Sequence, residues 1–186
     1  KRQVDQTIGG IDFLMKKNKI DIYHGVAAFN DSTHIKINGD NPEIIEANYT
    51  IIATGSKPTQ LPFVQIDKER IITSTQALKL NEIPKHLIII GGGVIGLELG
   101  QVYKRLGAEV SVIEYMDRLI PNMDKSLSKE LTKVFKKQKF KINVSHKVIS
   151  VERKSNNITV KAENKKGEIV VFQGDYCLVS VGRSPY

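Results

Sequence analysis

The sequence has no tryptophan and a single cysteine, Cys177, and aromatics make up 6% of its 186 residues. One thiol excludes an intrachain disulfide, and its place in the apolar run YCLVSV marks it as a core side chain rather than a redox centre. A lone, unpaired thiol fits a reducing compartment, so a cytoplasmic location is expected. Without tryptophan or interleaved aromatics, the chain has no base-stacking surface, and nucleic-acid binding is not expected. No apolar run approaches the ~18 residues that cross a bilayer, so no membrane span is expected either. The scattered histidines, His24, His34, His86 and His146, suggest surface or turn positions, and no metal site is expected. An initiating methionine and an apolar leader are also missing; the chain opens on Lys1-Arg2, as a piece of a longer protein would.

What is present is a globular composition, 40% apolar, with a net charge of +8. Much of the positive excess lies between Lys125 and Lys166. Lys129, Lys133, Lys136 and Lys137 recur at helical intervals there, with Leu127, Leu131, Val134 and Phe135 on the other side. This is the solvated face of an amphipathic helix.

The most specific signal is LIIIGGGVIGLELG, Leu87 to Gly100, followed by EVSVIE, Glu109 to Glu114. Leu87–Ile90 reads as a buried parallel strand, Val94–Leu106 as a helix ended by Gly107, and Glu109–Glu114 as a second strand. Gly91, Gly93 and Gly96 fall at the G-x-G-x-x-G spacing between strand and helix, and the acid follows about 20 residues on. Each part suits a dinucleotide. The first glycine permits a tight turn, the second lets backbone N–H groups approach a pyrophosphate, and the third lets helix and strand pack closely. The helix amino terminus adds partial positive charge. Glu114 can accept both hydroxyls of an adenosine ribose. A 2′-phosphate in that position would face Glu114, and like charges at about 4 Å cost on the order of 1–4 kcal/mol. Arg118 is near enough to receive such a phosphate but lies past the strand end, so NAD is expected rather than NADP.

The chain also contains an internal repeat. YTIIATGSKP at residues 49–58 matches YCLVSVGRSP at 176–185, and KKNKIDI at Lys16–Ile22 matches KKQKFKI at Lys136–Ile142. An amphipathic helix precedes each KKxK element; in the first half it carries Val4, Ile8, Ile11, Leu14 and Met15. Between the landmarks lie short alternating segments: Gly25–Phe29, His34–Ile37 and Ile44–Ala47 in one half, Lys147–Arg153, Ile158–Ala162 and Ile169–Phe172 in the other. These read as antiparallel meanders covering a sheet. Each half therefore reads as helix, strand, meander, strand and glycine. Ligands of parallel sheets lie beyond the strands' carboxyl ends, which brings Gly182 into the candidate site.

With GGGVIGLELG, EYMDRLIP, SVGRSP and ATGSKP in this order, the sequence resembles the flavoprotein disulfide reductases that bind both FAD and NAD(P). Within them it is most similar to the dihydrolipoyl dehydrogenase branch. The resemblance implies a Rossmann-like three-layer α/β fold with parallel sheet, helices and an antiparallel β-meander. It implies the end of an FAD-binding domain over residues 1–57 and an NAD-binding domain over 58–186. At the NAD side it implies contacts from Gly91, Gly92, Gly93, Val94, Ile95, Gly96, Leu97 and Glu98, from Glu114 at the ribose, from Val148 at the adenine and from Gly182. At the FAD side it implies Ala27, Ala53, Thr54 and Gly55. The family's electrons run from dihydrolipoamide through a disulfide and FAD to NAD. Its partners would be lipoyl domains of a 2-oxo acid dehydrogenase or glycine cleavage complex, and its assembly a homodimer. The family's C-x-x-x-x-C dithiol, its FAD phosphate loop and its catalytic His–Glu pair have no counterpart in this sequence. No catalytic residue is therefore expected here, and the chain alone should be inactive. A glutathione, mercuric or NADH-peroxidase type of reductase, or an NAD-binding module without chemistry, remain alternatives on sequence.

Overall fold

The computed structural model describes residues 2–186 and divides the chain into two compact units, one ending at Ala53 and one spanning Thr54–Tyr186. In the second unit the strands are β4 (Ser56–Pro58), β5 (Ile71–Ile72), β6 (His86–Ile90), β7 (Glu109–Glu114), β8 (Lys141–Val144), β9 (Lys147–Lys154), β10 (Asn157–Glu163), β11 (Ile169–Gly174), β12 (Tyr176–Val179) and β13 (Arg183–Pro185). Its helices are α2 (Ser74–Ala77), α3 (Val94–Arg105) and α4 (Lys125–Lys137). The first unit holds α1 (Arg2–Lys17), β1 (Val26–Phe29), β2 (His34–Asn38) and β3 (Glu43–Glu46).

The centre of the second unit is a five-stranded parallel sheet in the order β5-β12-β6-β7-β8. Its inner strands β12 and β6 are apolar over Tyr176–Val179 and Leu87–Ile90 because both faces are covered. Strand alternation divides β6 between them. Leu87 and Ile89 join the core under the helices with Leu97, Tyr103 and Phe135, while Ile88 and Ile90 join the core under the meander with Val148, Ile158 and Val160. Each such aliphatic side chain contributes about 1.5–3 kcal/mol when removed from water. The three-layer α/β architecture expected from the sequence is thus present, with β11-β10-β9 as the antiparallel meander. Cys177 is fully buried in the meander-side core, and burial pushes its thiol pKa well above the ordinary range.

Strand β4 pairs with β13, so the segment just after Ala53 belongs with the second unit, four residues before the expected boundary at 57/58. The carboxyl ends of β6, β7, β8 and β12 face the same way, and the loops that follow them build the site described below.

The first unit keeps its meander, β1-β2-β3, with Ile37 as its one buried hydrophobic among the described residues. The amphipathic helix expected around Val4–Met15 forms as α1, yet Val4, Ile8, Ile11 and Leu14 are all at least half exposed. The strands expected after each KKxK element and at each strand–glycine motif form only in the second unit, as β8 and β12. Ile20–Ile22 and Tyr49–Ala53 are irregular, and Ile51 is 90% exposed. The reason is non-local. A parallel strand needs neighbours for its N–H and C=O groups, and the first unit has no parallel sheet among the described residues. Amide hydrogen exchange should therefore be fast at Ile51–Ala53 and slower by orders of magnitude at Ile88–Ile90. Equal protection of the two segments in a monomeric sample would contradict this account.

Candidate functional site

The strand–loop–helix unit is built as its residues suggest. Gly91 turns the chain off β6 at φ 105°, and an added Cβ would lie 2.5 Å from the Ser180 carbonyl oxygen. At Gly96 a Cβ would collide with Ser180 Oγ and come within 2.8 Å of the Gly91 carbonyl and 2.9 Å of Ile89 Cγ2. These two glycines are required by the packing of the protein itself. Gly93 is different. It caps α3 in an extended conformation open to any residue, and a Cβ there would meet nothing within 4 Å. Its lack of a side chain serves the space outside the protein.

The loop is braced on every side. Gly91 N–H donates to the Ile113 carbonyl at 2.9 Å, and Ile120 N–H donates to the Gly92 carbonyl at 2.8 Å. Ser180 N–H donates to the Ile90 carbonyl at 2.8 Å, and its hydroxyl donates to the same oxygen at 3.1 Å. Glu114, 7% exposed at the end of β7, accepts from Gly92 N–H through one carboxylate oxygen and from Met116 N–H through the other at 2.7 Å. A carboxylate has about four lone-pair sites, so both oxygens retain capacity for further donors.

Over the loop opens a cleft of about 680 Å³. Of the residues singled out from sequence, it gathers Gly91, Gly93, Val94, Ile95, Glu114, Val148 and Gly182. Gly92 lies beneath the loop, held against Glu114, and Gly96 and Leu97 are buried where α3 meets the sheet. Glu98 is exposed on α3 outside the cleft lining. Gly182 closes the far side at φ 126°, its carbonyl accepting from Thr59 N–H at 3.0 Å. Arg118 is turned aside: it donates to the Pro121 carbonyl at 2.8 Å and to Asp117 at 3.2 Å, and it does not line the cleft.

Ala27 lies on exposed β1, and Ala53, Thr54 and Gly55 lie in exposed irregular chain. Thr54 and Gly55, in the second unit, are not among the residues lining the cleft.

His86 departs from the surface or turn position expected of it, whereas His146 sits on the turn between β8 and β9 as expected. His86 begins β6 and is half-buried, with Nε2 2.8 Å from Ser111 Oγ; burial lowers its pKa. His146 lines the cleft beside Val148. Sequence reasoning also passed over Ser180, which opens the SVGRSP motif two residues before Gly182 and packs against the loop at Gly91 and Gly96.

The fold is that of a Rossmann-like α/β dinucleotide-binding class, with a glycine loop at the carboxyl edge of a parallel sheet. The family model for pyridine nucleotide-disulphide oxidoreductases matches residues 2–186, and the chain belongs to that family. Among its relatives, dihydrolipoyl dehydrogenase 3 of Pseudomonas putida is 40% identical over 192 residues, covering 100% of this chain and 41% of its own length. The mitochondrial dihydrolipoyl dehydrogenase of Schizosaccharomyces pombe is 39% identical over 187 residues, covering 98% of this chain and 37% of its own. Among solved structures, LpdA from Mycobacterium tuberculosis superposes with a TM-score of 0.80 at 28% identity, over 96% of this chain and 40% of that one. The chain thus spans about two fifths of the length of these relatives. No helix among the described residues is long and apolar enough to cross a membrane.

Proposed function

We propose that the second unit binds NAD in the cleft over the glycine loop, as part of a dihydrolipoyl dehydrogenase. The observation that carries this reading is Gly93. The protein has no steric need of a glycine there, whereas a pyrophosphate approaching the first backbone N–H groups of α3 does. Gly91, Gly92 and Gly93 form the phosphate loop, with Val94 and Ile95 opening the helix behind it. Glu114 receives the ribose hydroxyls through the lone pairs left free by Gly92 and Met116. Val148 gives an apolar wall, and Gly182 lets the backbone approach the nicotinamide end. Family membership and about 40% identity to dihydrolipoyl dehydrogenases support the particular enzyme.

When bound, NAD supplies the hydride acceptor at the end of an electron path from dihydrolipoamide through a disulfide and FAD. The residues of this chain hold and orient that acceptor and exclude water from one side of it. FAD, the lipoyl domains of a 2-oxo acid dehydrogenase or glycine cleavage complex, and a homodimeric assembly belong to the same reading of the whole enzyme. The test is a titration of the purified chain with NADH, followed by nicotinamide fluorescence, beside an assay for lipoamide-dependent NADH turnover. Saturable binding without turnover is expected. Turnover by this chain alone would overturn the assignment of the redox chemistry to residues outside it.

A further inference from the structure

We infer that His146 reads the base of the bound dinucleotide, accepting a hydrogen bond at Nε2 from the exocyclic amino group of adenine. The inference rests on the cofactor reading above and adds a specificity-determining contact to it. The order of the sheet supplies the direction. The loop that meets the pyrophosphate follows β6, and the acid that meets the ribose ends β7. The next strand outward is β8, so the base extends over the turn that follows β8, residues 145–146, and the start of β9 at Val148.

That turn is held firmly to the end of β7. Ser145 N–H donates to the Met116 carbonyl at 2.8 Å, and His146 N–H donates to the Glu114 carbonyl at 2.9 Å. The imidazole lines the cleft with Val148 and meets the Phe172 ring edge-on, with centroids 6.2 Å apart. Its Nδ1 lies 2.7 Å from the Val144 carbonyl oxygen. A carbonyl only accepts, so Nδ1 carries the proton of that bond. In the neutral ring Nε2 is then a bare acceptor, and it has no hydrogen-bond partner among the described residues. Adenine presents an amino donor at position 6, whereas hypoxanthine presents a carbonyl acceptor there. An acceptor fixed by the Val144 contact favours the first and repels the second.

The experiment compares NADH with reduced nicotinamide hypoxanthine dinucleotide, which differ at that position of the base. Both are titrated at pH 8.5 into the wild-type chain and into His146→Phe, which keeps a flat ring against Phe172. The wild type should bind NADH about threefold to tenfold more tightly, the range of one hydrogen bond. His146→Phe should bind the two within about twofold, since the hydrogen bond worth about 1 kcal/mol is gone. Independently of any variant, the ¹⁵N resonance of His146 Nε2 in the wild type should move on addition of NADH and move less with the hypoxanthine analogue. Equal wild-type affinities, a preference that survives in His146→Phe, or an unmoved resonance in the NADH-bound protein would each overturn the role of His146 while leaving the cofactor reading intact. Binding of neither dinucleotide would overturn both.

Discussion

Gly93→Asp is expected to leave the chain as stable as the parent and to weaken NADH binding about a hundredfold, whereas Gly96→Val is expected to cost folding stability itself. The contrast follows from what each glycine touches. At Gly93 a side chain would enter open space, its backbone is extended, and aspartate is among the best residues for the N-cap position that Gly93 occupies. The variant should therefore melt within a few degrees of the parent, or above it. Its carboxylate would stand where the pyrophosphate must come. Like charges at about 4 Å cost on the order of 1–4 kcal/mol, and every 1.4 kcal/mol is tenfold in affinity. At Gly96 the added carbons would meet Ser180 Oγ, the Gly91 carbonyl and Ile89 Cγ2, so α3 must lift from the sheet. Overpacking of this kind costs about 3 kcal/mol, or about 6–12 °C in Tm for a chain of this size. Thermal melts and NADH titrations on both variants check the pair. Unchanged NADH affinity in Gly93→Asp would remove the phosphate from the loop.

The parts of this fold that were legible in the sequence are those set by local pattern. The run from Leu87 is apolar on both faces, and a strand buried under two layers needs that pattern. The spacing of Gly91, Gly93 and Gly96 reports a turn and a helix start, both local events. The meander segments alternate because one face of each is dry. What could not be read depends on partners distant in sequence. Ile51 and Ile52 have the composition of a parallel strand, but the segment remains irregular without neighbouring strands. The same pattern at Tyr176–Val179 forms β12 because β5 and β6 flank it. The site shows the same division. Glu114 is recognisable as an acid at a strand end, but its bonds to Gly92 and Met116 depend on the folded loop. His146 in isolation is a histidine on a turn. Only the order of the strands brings it to the rim of the cleft, and only the Val144 carbonyl decides which of its nitrogens is the acceptor.

On the proposed NAD reading Glu114 has two duties, bracing the loop and meeting the ribose, and Glu114→Ala should reveal both. The chain should bind NADH at least about tenfold more tightly than NADPH, because a 2′-phosphate brought beside the carboxylate costs on the order of 1–4 kcal/mol. Removing the carboxylate removes that repulsion along with the ribose contacts, so affinity for NADH should fall and the preference should shrink to within about threefold. The same substitution leaves the N–H groups of Gly92 and Met116 without acceptors beneath the loop. Stability should fall as well, since a buried donor left unpaired costs about 1–3 kcal/mol. A loss of preference without any change in Tm would mean that water replaces the carboxylate under the loop. A wild-type preference for NADPH would be more serious. Arg118 would then have to abandon the Pro121 carbonyl and Asp117 and swing to the cleft, where its guanidinium could neutralise the phosphate. In that event Glu114 would be a brace for the loop and no reader of the ribose, and the specificity of the site would lie in the residues that follow β7.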